Sequence, residues 1–154
     1  MVGGHLVTAG CFNNHCHSWL NVGCWNMRSL VEAEGSVATA STWRCVQVDH
    51  KINFLVRELR CFDMHITGIS ETKLFGEGVY EVDGFVMVHS GRPLPNEDDP
   101  VLRNEGVGIM MSPVMAVAWR NSGRCWKAVS SRIVYAHLNV AMAEKEVART
   151  FICL

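Results

Sequence analysis

The chain has 154 residues, 49% of them apolar and 19% charged, with a net charge of −1. That length fits one domain, and the apolar content excludes wholesale disorder. The near-neutral charge argues against a broad basic surface that grips nucleic acid over many phosphates, although it leaves room for a local phosphate contact.

Seven cysteines occur at irregular spacing with no CxxC pair. This is not the pattern of a disulfide framework, and it predicts reduced thiols, mostly small core residues, in an intracellular protein. No run approaches the ~18 apolar residues of a membrane helix, so no membrane partner is expected. The N-terminus lacks the basic start of a secretion signal.

Residues 1–19 read as a poorly ordered tail. Their "CFNNHCHSW" gathers Cys11, His15, Cys16 and His17, but without the ligand spacing of a zinc site. "LNVGCWNM" (20–27) reads as a short apolar strand ending at Asn26, and residues 31–47 as a loop with at most one helical turn. In "VDHKINFLVRELRCF", Ile52, Leu55, Val56 and Leu59 fall at helical spacing and Asp49 can cap the start, which predicts a helix over 49–61. "MHITGIS" (64–70) is β-branched and apolar, a buried strand. "GFVMVHSG" (84–91) is a further strand, and the Pro-rich, acidic stretch 92–106 an exposed loop. "GVGIMMS" (106–112), "AVAWR" (116–120), "AVSSRIVYAHLNV" (128–140) and "ARTFICL" (148–154) read as strands. "NSG" (121–123) and "AMAEKE" (141–146) read as the turns between them, so the second half is a run of antiparallel strands or hairpins.

Strand, helix, strand over residues 20–70 is a βαβ crossover, whose two strands run parallel. Their C-terminal ends then share one sheet edge, where α/β proteins hold ligands. Asn26 and Glu71 sit at those two ends. An amide oxygen and a carboxylate suit Mg²⁺, which is held by one or two protein carboxylates plus water and phosphate. Such an ion would stabilise charge in phosphodiester displacement. An isolated Asn and Glu at strand ends are, on pattern alone, more often a cap and a solvated acid.

"CWNMRSL", a helix, and then "ITGISETKL" resemble the first two motifs of the endonuclease/exonuclease/phosphatase superfamily. The closer resemblance is to its retrotransposon branch, the apurinic-type endonuclease domains of non-LTR (LINE-like) elements, a group that includes craniofacial development protein 2-like sequences. "YEVDGFVMVHSGRPLP", "RNEGVGIMMSP" and "SSRIVYAHL" continue the pattern in order, so that the resemblance spans about residues 20 to 154. It implies an α/β (α+β) chain, an incomplete DNase I-like four-layer β-sandwich flanked by helices. It implies a Mg²⁺-dependent DNA endonuclease with DNA as partner and, in a working element, a nuclear location. Asn26 matches the Asn that orients the metal-bound phosphate site and Glu71 the principal Mg²⁺ ligand. Arg132 matches the Arg of the strand before the third motif, and Arg28 and Lys73 flank the ligands.

The family's Tyr of "YAP", its Asp-x-Asn and its Ser-Asp-His motifs are not found in residues 20–154, and none of His50, His65, His89 or His137 stands in a Ser-Asp-His string. The expectation is therefore an N-terminal portion of the domain, truncated and inactive as it stands. One sheet's inner face would be uncovered, with Met110, Trp119, Trp126 and Phe151 exposed and self-association through that surface. The competing expectations are a non-catalytic translated remnant and a small interaction module without enzymatic role.

Overall fold

The computed structural model describes residues 4–9, 20–30, 48–93, 105–142 and 145–153. In chain order they form β1 (Gly4–Ala9), β2 (Leu20–Asn26), α1 (Val48–Cys61), β3 (Ile66–Ser70), β4 (Glu77–Val82), β5 (Phe85–Ser90), β6 (Val107–Met111), α2 (Pro113–Asn121), β7 (Trp126–Ser130), β8 (Ile133–Met142) and β9 (Lys145–Cys153). The result is a mixed α+β fold. Six strands form one sheet in the order β1-β2-β3-β6-β5-β4, and three form a second in the order β7-β8-β9.

The crossover forms as the pattern requires. Ile52, Leu55, Val56 and Leu59 of α1 are all buried, packed with Ile69, Phe85, Met87 and Met110 on one face of the large sheet. β2 and β3 pair in parallel, from Val22↔Ile66 to Asn26↔Ser70. The remaining strand pairs among the described residues are antiparallel, and an isolated parallel bridge joins Phe75 to Arg92. β1 lies within the segment expected as a tail and pairs with β2 from Gly4↔Trp25 to Ala9↔Leu20. Cys11, His15, Cys16 and His17, the loop 31–47 and most of the acidic loop lie outside the described residues.

The opposite face of the large sheet is covered. Val86, Val88, Val107, Ile109 and Met111 pack against Met115, Ala116 and Trp119 of α2 and against Val134, Ala136 and Leu138 of β8. This corrects the expectation of an uncovered face. Trp119 is 2% and Met110 1% exposed, and Trp126 is half-buried against the same core. The side chain of Phe151 lies outside the described residues.

Besides β1, and besides Ala141–Met142 and Lys145–Glu146, which are strand where a turn was expected, three further elements differ from the sequence reading. "AVAWR" is helix, not strand. Ser112 caps it with its side chain, Pro113 occupies the first turn, and Met115, Ala116 and Trp119 make one buried face. Residues 128–140 are not one strand, since Ser131–Arg132 is a tight turn between β7 and β8. β4 was not anticipated, although Asp83-Gly84, both left-handed (φ 50° and 81°), joins Val82 to Phe85 in a two-residue hairpin turn. Of the seven cysteines, the three whose side chains are described, Cys24, Cys61 and Cys125, are free thiols and exposed, so these three are not core residues. No helix among the described residues is long and apolar enough to cross a membrane.

Candidate functional site: the carboxyl edge of the parallel pair

Parallel pairing of β2 with β3 brings Asn26 level with Ser70, so Glu71 is the next residue beyond the ladder. The ladder extends one step further, with the Met27 N–H donating to Ser70 O at 3.1 Å. The Asn26 side chain then closes two contacts. Its Oδ1 accepts from the Arg28 N–H at 2.9 Å, an Asx turn that folds the chain back. Its Nδ2 donates to Glu71 Oε1 at 2.7 Å, across 45 residues of sequence. The two contacts together fix which way the amide faces, and hence where the carboxylate points. The amide and carboxylate expected at one edge are thus in direct contact.

The backbone here is strained. Arg28 (φ 52°), Glu71 (φ 55°) and Lys73 (φ 56°) are left-handed without being glycine. Each costs about 1–2 kcal/mol relative to ordinary backbone. Thr72, between two of them, is fully buried. Its N–H donates to Gly106 O (3.0 Å), its carbonyl accepts from the Leu30 N–H (2.9 Å), and the Lys73 N–H donates to Glu105 O (2.9 Å). At about 0.5–1.5 kcal/mol apiece, those bonds are of the size needed to offset the strain. Strain kept at one loop by surrounding bonds is a common property of sites that hold ligands.

Gly106 is required where it stands. Its φ is 104°, and a Cβ there would overlap Thr72 Oγ1. Beside it, Glu105 accepts from Ser131 Oγ at 2.9 Å and from Arg132 at 3.4 Å. The Ser131 hydrogen bond, with Arg132 and the charge of Arg92, holds its carboxyl below the usual range against the opposing effect of burial. Sequence reasoning missed Glu105. It lies in a segment with no periodicity, and its role comes from the turn that splits β7 from β8.

No family model, curated protein or solved structure matches this chain.

The donor set at the edge is small and hard. Glu71 Oε2 makes no hydrogen bond or ion pair among the described residues, whereas Oε1 is held by Asn26. No group of three or more His, Cys, Asp and Glu gathers among the described residues. A carboxylate oxygen and a neighbouring amide fit a hydrated Mg²⁺, which keeps several waters and takes few protein ligands. They do not fit zinc or a dehydrated Ca²⁺ cage, which need fuller protein shells. His65 is engaged elsewhere, its Nδ1 accepting from the Asn21 N–H at 3.1 Å at the other end of the strands. His89 is buried under the sheet's α1 face, stacked on Tyr80 at 5.2 Å between ring centroids.

Proposed function

We propose that this chain carries the cation- and phosphate-facing part of a Mg²⁺-dependent DNA endonuclease centre of the retrotransposon type, on an incomplete DNase I-like sandwich. The observation that carries this reading is the 2.7 Å contact of Asn26 with Glu71 across the ends of two parallel strands. Glu71, with Asn26 beside it, would hold the ion, and the ion would supply charge neutralisation at a phosphodiester. Asn26 orients the carboxylate, and Arg28 and Lys73 put positive charge on the flanking segments for a phosphate to meet. Proton transfer has no assigned group, because the sequence holds no Ser-Asp-His string. Binding is therefore the expected activity, and hydrolysis by this chain alone is not.

Mn²⁺ as a probe ion is expected to bind the wild type and not Glu71→Ala. Asn26→Ala, which removes the orienting amide, is expected to weaken binding by about tenfold. Supercoiled plasmid with Mg²⁺ should stay uncut by either protein. Mn²⁺ binding that ignores both substitutions would sink the assignment. Nicking that Glu71→Ala abolishes would show a working enzyme and overturn the inactive part of the reading.

A second reading has its own support, since both ends of the Asn26 amide are already satisfied within the protein. In a non-catalytic remnant the pair is only a clasp between strands. Glu71→Ala would then lower stability by about 1–3 kcal/mol and leave Mn²⁺ binding unchanged.

A further inference from the structure

We infer that Glu105 is a positioning residue for Glu71, through which the β7–β8 turn of the second sheet fixes the strained loop at the end of β3. The loop cannot hold its own shape. Glu71 and Lys73 are both left-handed, and a chain released there would relax to ordinary backbone. What holds it is external. Thr72 and Lys73 donate their N–H groups to the carbonyls of Gly106 and Glu105. Those carbonyls are in turn held from the second sheet. The Gly106 N–H donates to Ser131 O at 3.0 Å, Ser131 Oγ donates to Glu105 Oε2 at 2.9 Å, and Arg132 reaches Oε1 at 3.4 Å.

The turn itself is pinned to the large sheet. Ser90 Oγ donates to Ser130 O at 2.6 Å, and the Arg132 N–H donates to Ser130 Oγ at 3.2 Å. The path thus runs from β5 through Ser130–Arg132 to Glu105–Gly106, then to Thr72–Lys73, and ends at the Glu71 carboxylate. Every step is a hydrogen bond or a peptide link. Glu105 joins the two by both of its parts, its carboxylate oxygens accepting from the turn and its backbone carbonyl from the Lys73 N–H of the loop. Its own charge is taken up by Arg132, so it stands apart from the cation-facing Glu71.

The experiment is amide hydrogen exchange on the whole chain, comparing wild type with Glu105→Gln, Ser131→Ala and Ser131→Thr. Weakening a hydrogen bond to a charged group corresponds to about a tenfold change in a local opening equilibrium. Glu105→Gln and Ser131→Ala are expected to speed exchange at Thr72 and Lys73 by about that factor. The amides of Val86 and Ile109 in the sheet core should keep their wild-type rates. Ser131→Thr keeps the hydroxyl and should restore slow exchange. Unchanged exchange at Thr72 and Lys73, or acceleration spread evenly over the core, would overturn the assignment.

The last consequence rests on the reading of Glu71 as a cation ligand: Mn²⁺ binding should weaken in Glu105→Gln although residue 105 touches no ion. The exchange measurement needs no metal. If the wild type fails to bind Mn²⁺, the proposed function falls while the exchange result still decides the role of Glu105. If Mn²⁺ binds and the loop amides do not respond, the brace falls alone.

Discussion

Lowering the pH from 7 to 4 will cost the folded state about 3 kcal/mol through His89 alone. The ring is 3% exposed on β5, and its Nδ1 has no hydrogen-bond partner. Burial without a partner disfavours the imidazolium and pushes the pKa from 6.5 down to about 4. The native state therefore prefers the neutral ring, while the unfolded chain takes up a proton below about pH 6.5. Stability from this group is complete above pH 6.5 and drains away as pH falls toward 4. Urea midpoints across pH 4–7 should show that slope, and His89→Leu should flatten it. Parallel profiles for the two proteins would mean that the ring finds a proton acceptor or water in solution.

Trp119→Ala should be the most damaging single substitution, at about 3–5 kcal/mol. The indole is 2% exposed and lies between α2 and the second sheet. Its Nε1–H donates to Cys125 O at 3.3 Å, which ties the end of α2 to the start of β7. Truncation would leave a large cavity at the junction of both sheets and leave the Cys125 carbonyl to the His137 N–H alone. A domain of this size has about 5–15 kcal/mol in total, so the variant will sit near its unfolding threshold. Trp119→Phe should recover most of the loss by refilling the space. Equilibrium denaturation measures both. A loss under about 1 kcal/mol for the alanine variant would mean that α2 and the second sheet are not part of one cooperative unit.

The parallel pair and its two end residues were legible because the cues are local. A stripe of Ile52, Leu55, Val56 and Leu59 can only be a helix with one apolar side, and α1 uses all four as expected. The flanking apolar runs then had to be parallel neighbours, which put Asn26 and Glu71 on one edge. What failed were segments whose local pattern fits two structures. "AVAWR" alternates small and large residues as a strand does, and only the Ser-Pro before it marks a helix start. Residues 128–140 look like one strand because Ser131 and Arg132 lack the Gly or Asn of a typical hairpin turn. The expected uncovered face had a different origin, the inference that the second sheet is largely lost with the missing motifs, whereas α2 and β8 supply a cover for Val86, Val88 and Ile109. The left-handed backbone at Glu71 and Lys73 had no cue at all, since neither residue type favours it. Gly106 and Glu105, more than thirty residues on, hold it by accepting the N–H groups of Thr72 and Lys73.

The strand order of the large sheet also sets when this edge can come into being. Hairpin β4–β5 and helix α1 need only near neighbours and can form within microseconds. The contact between Asn26 and Glu71 must wait until the whole crossover has closed, because β2 and β3 are joined only through α1 and the segment before it. β3 must then also receive β6 from beyond the β4–β5 hairpin. Each closure loses chain entropy before any pairing returns it. During synthesis at about 5–20 residues per second, β2 emerges seconds before the strand that will lie parallel to it. The strained loop after Glu71 is formed later still, once the β7–β8 turn has been made and docked. The Asn26–Glu71 pair thus depends on long-range closure, and its single hydrogen bond reports that the sheet has closed.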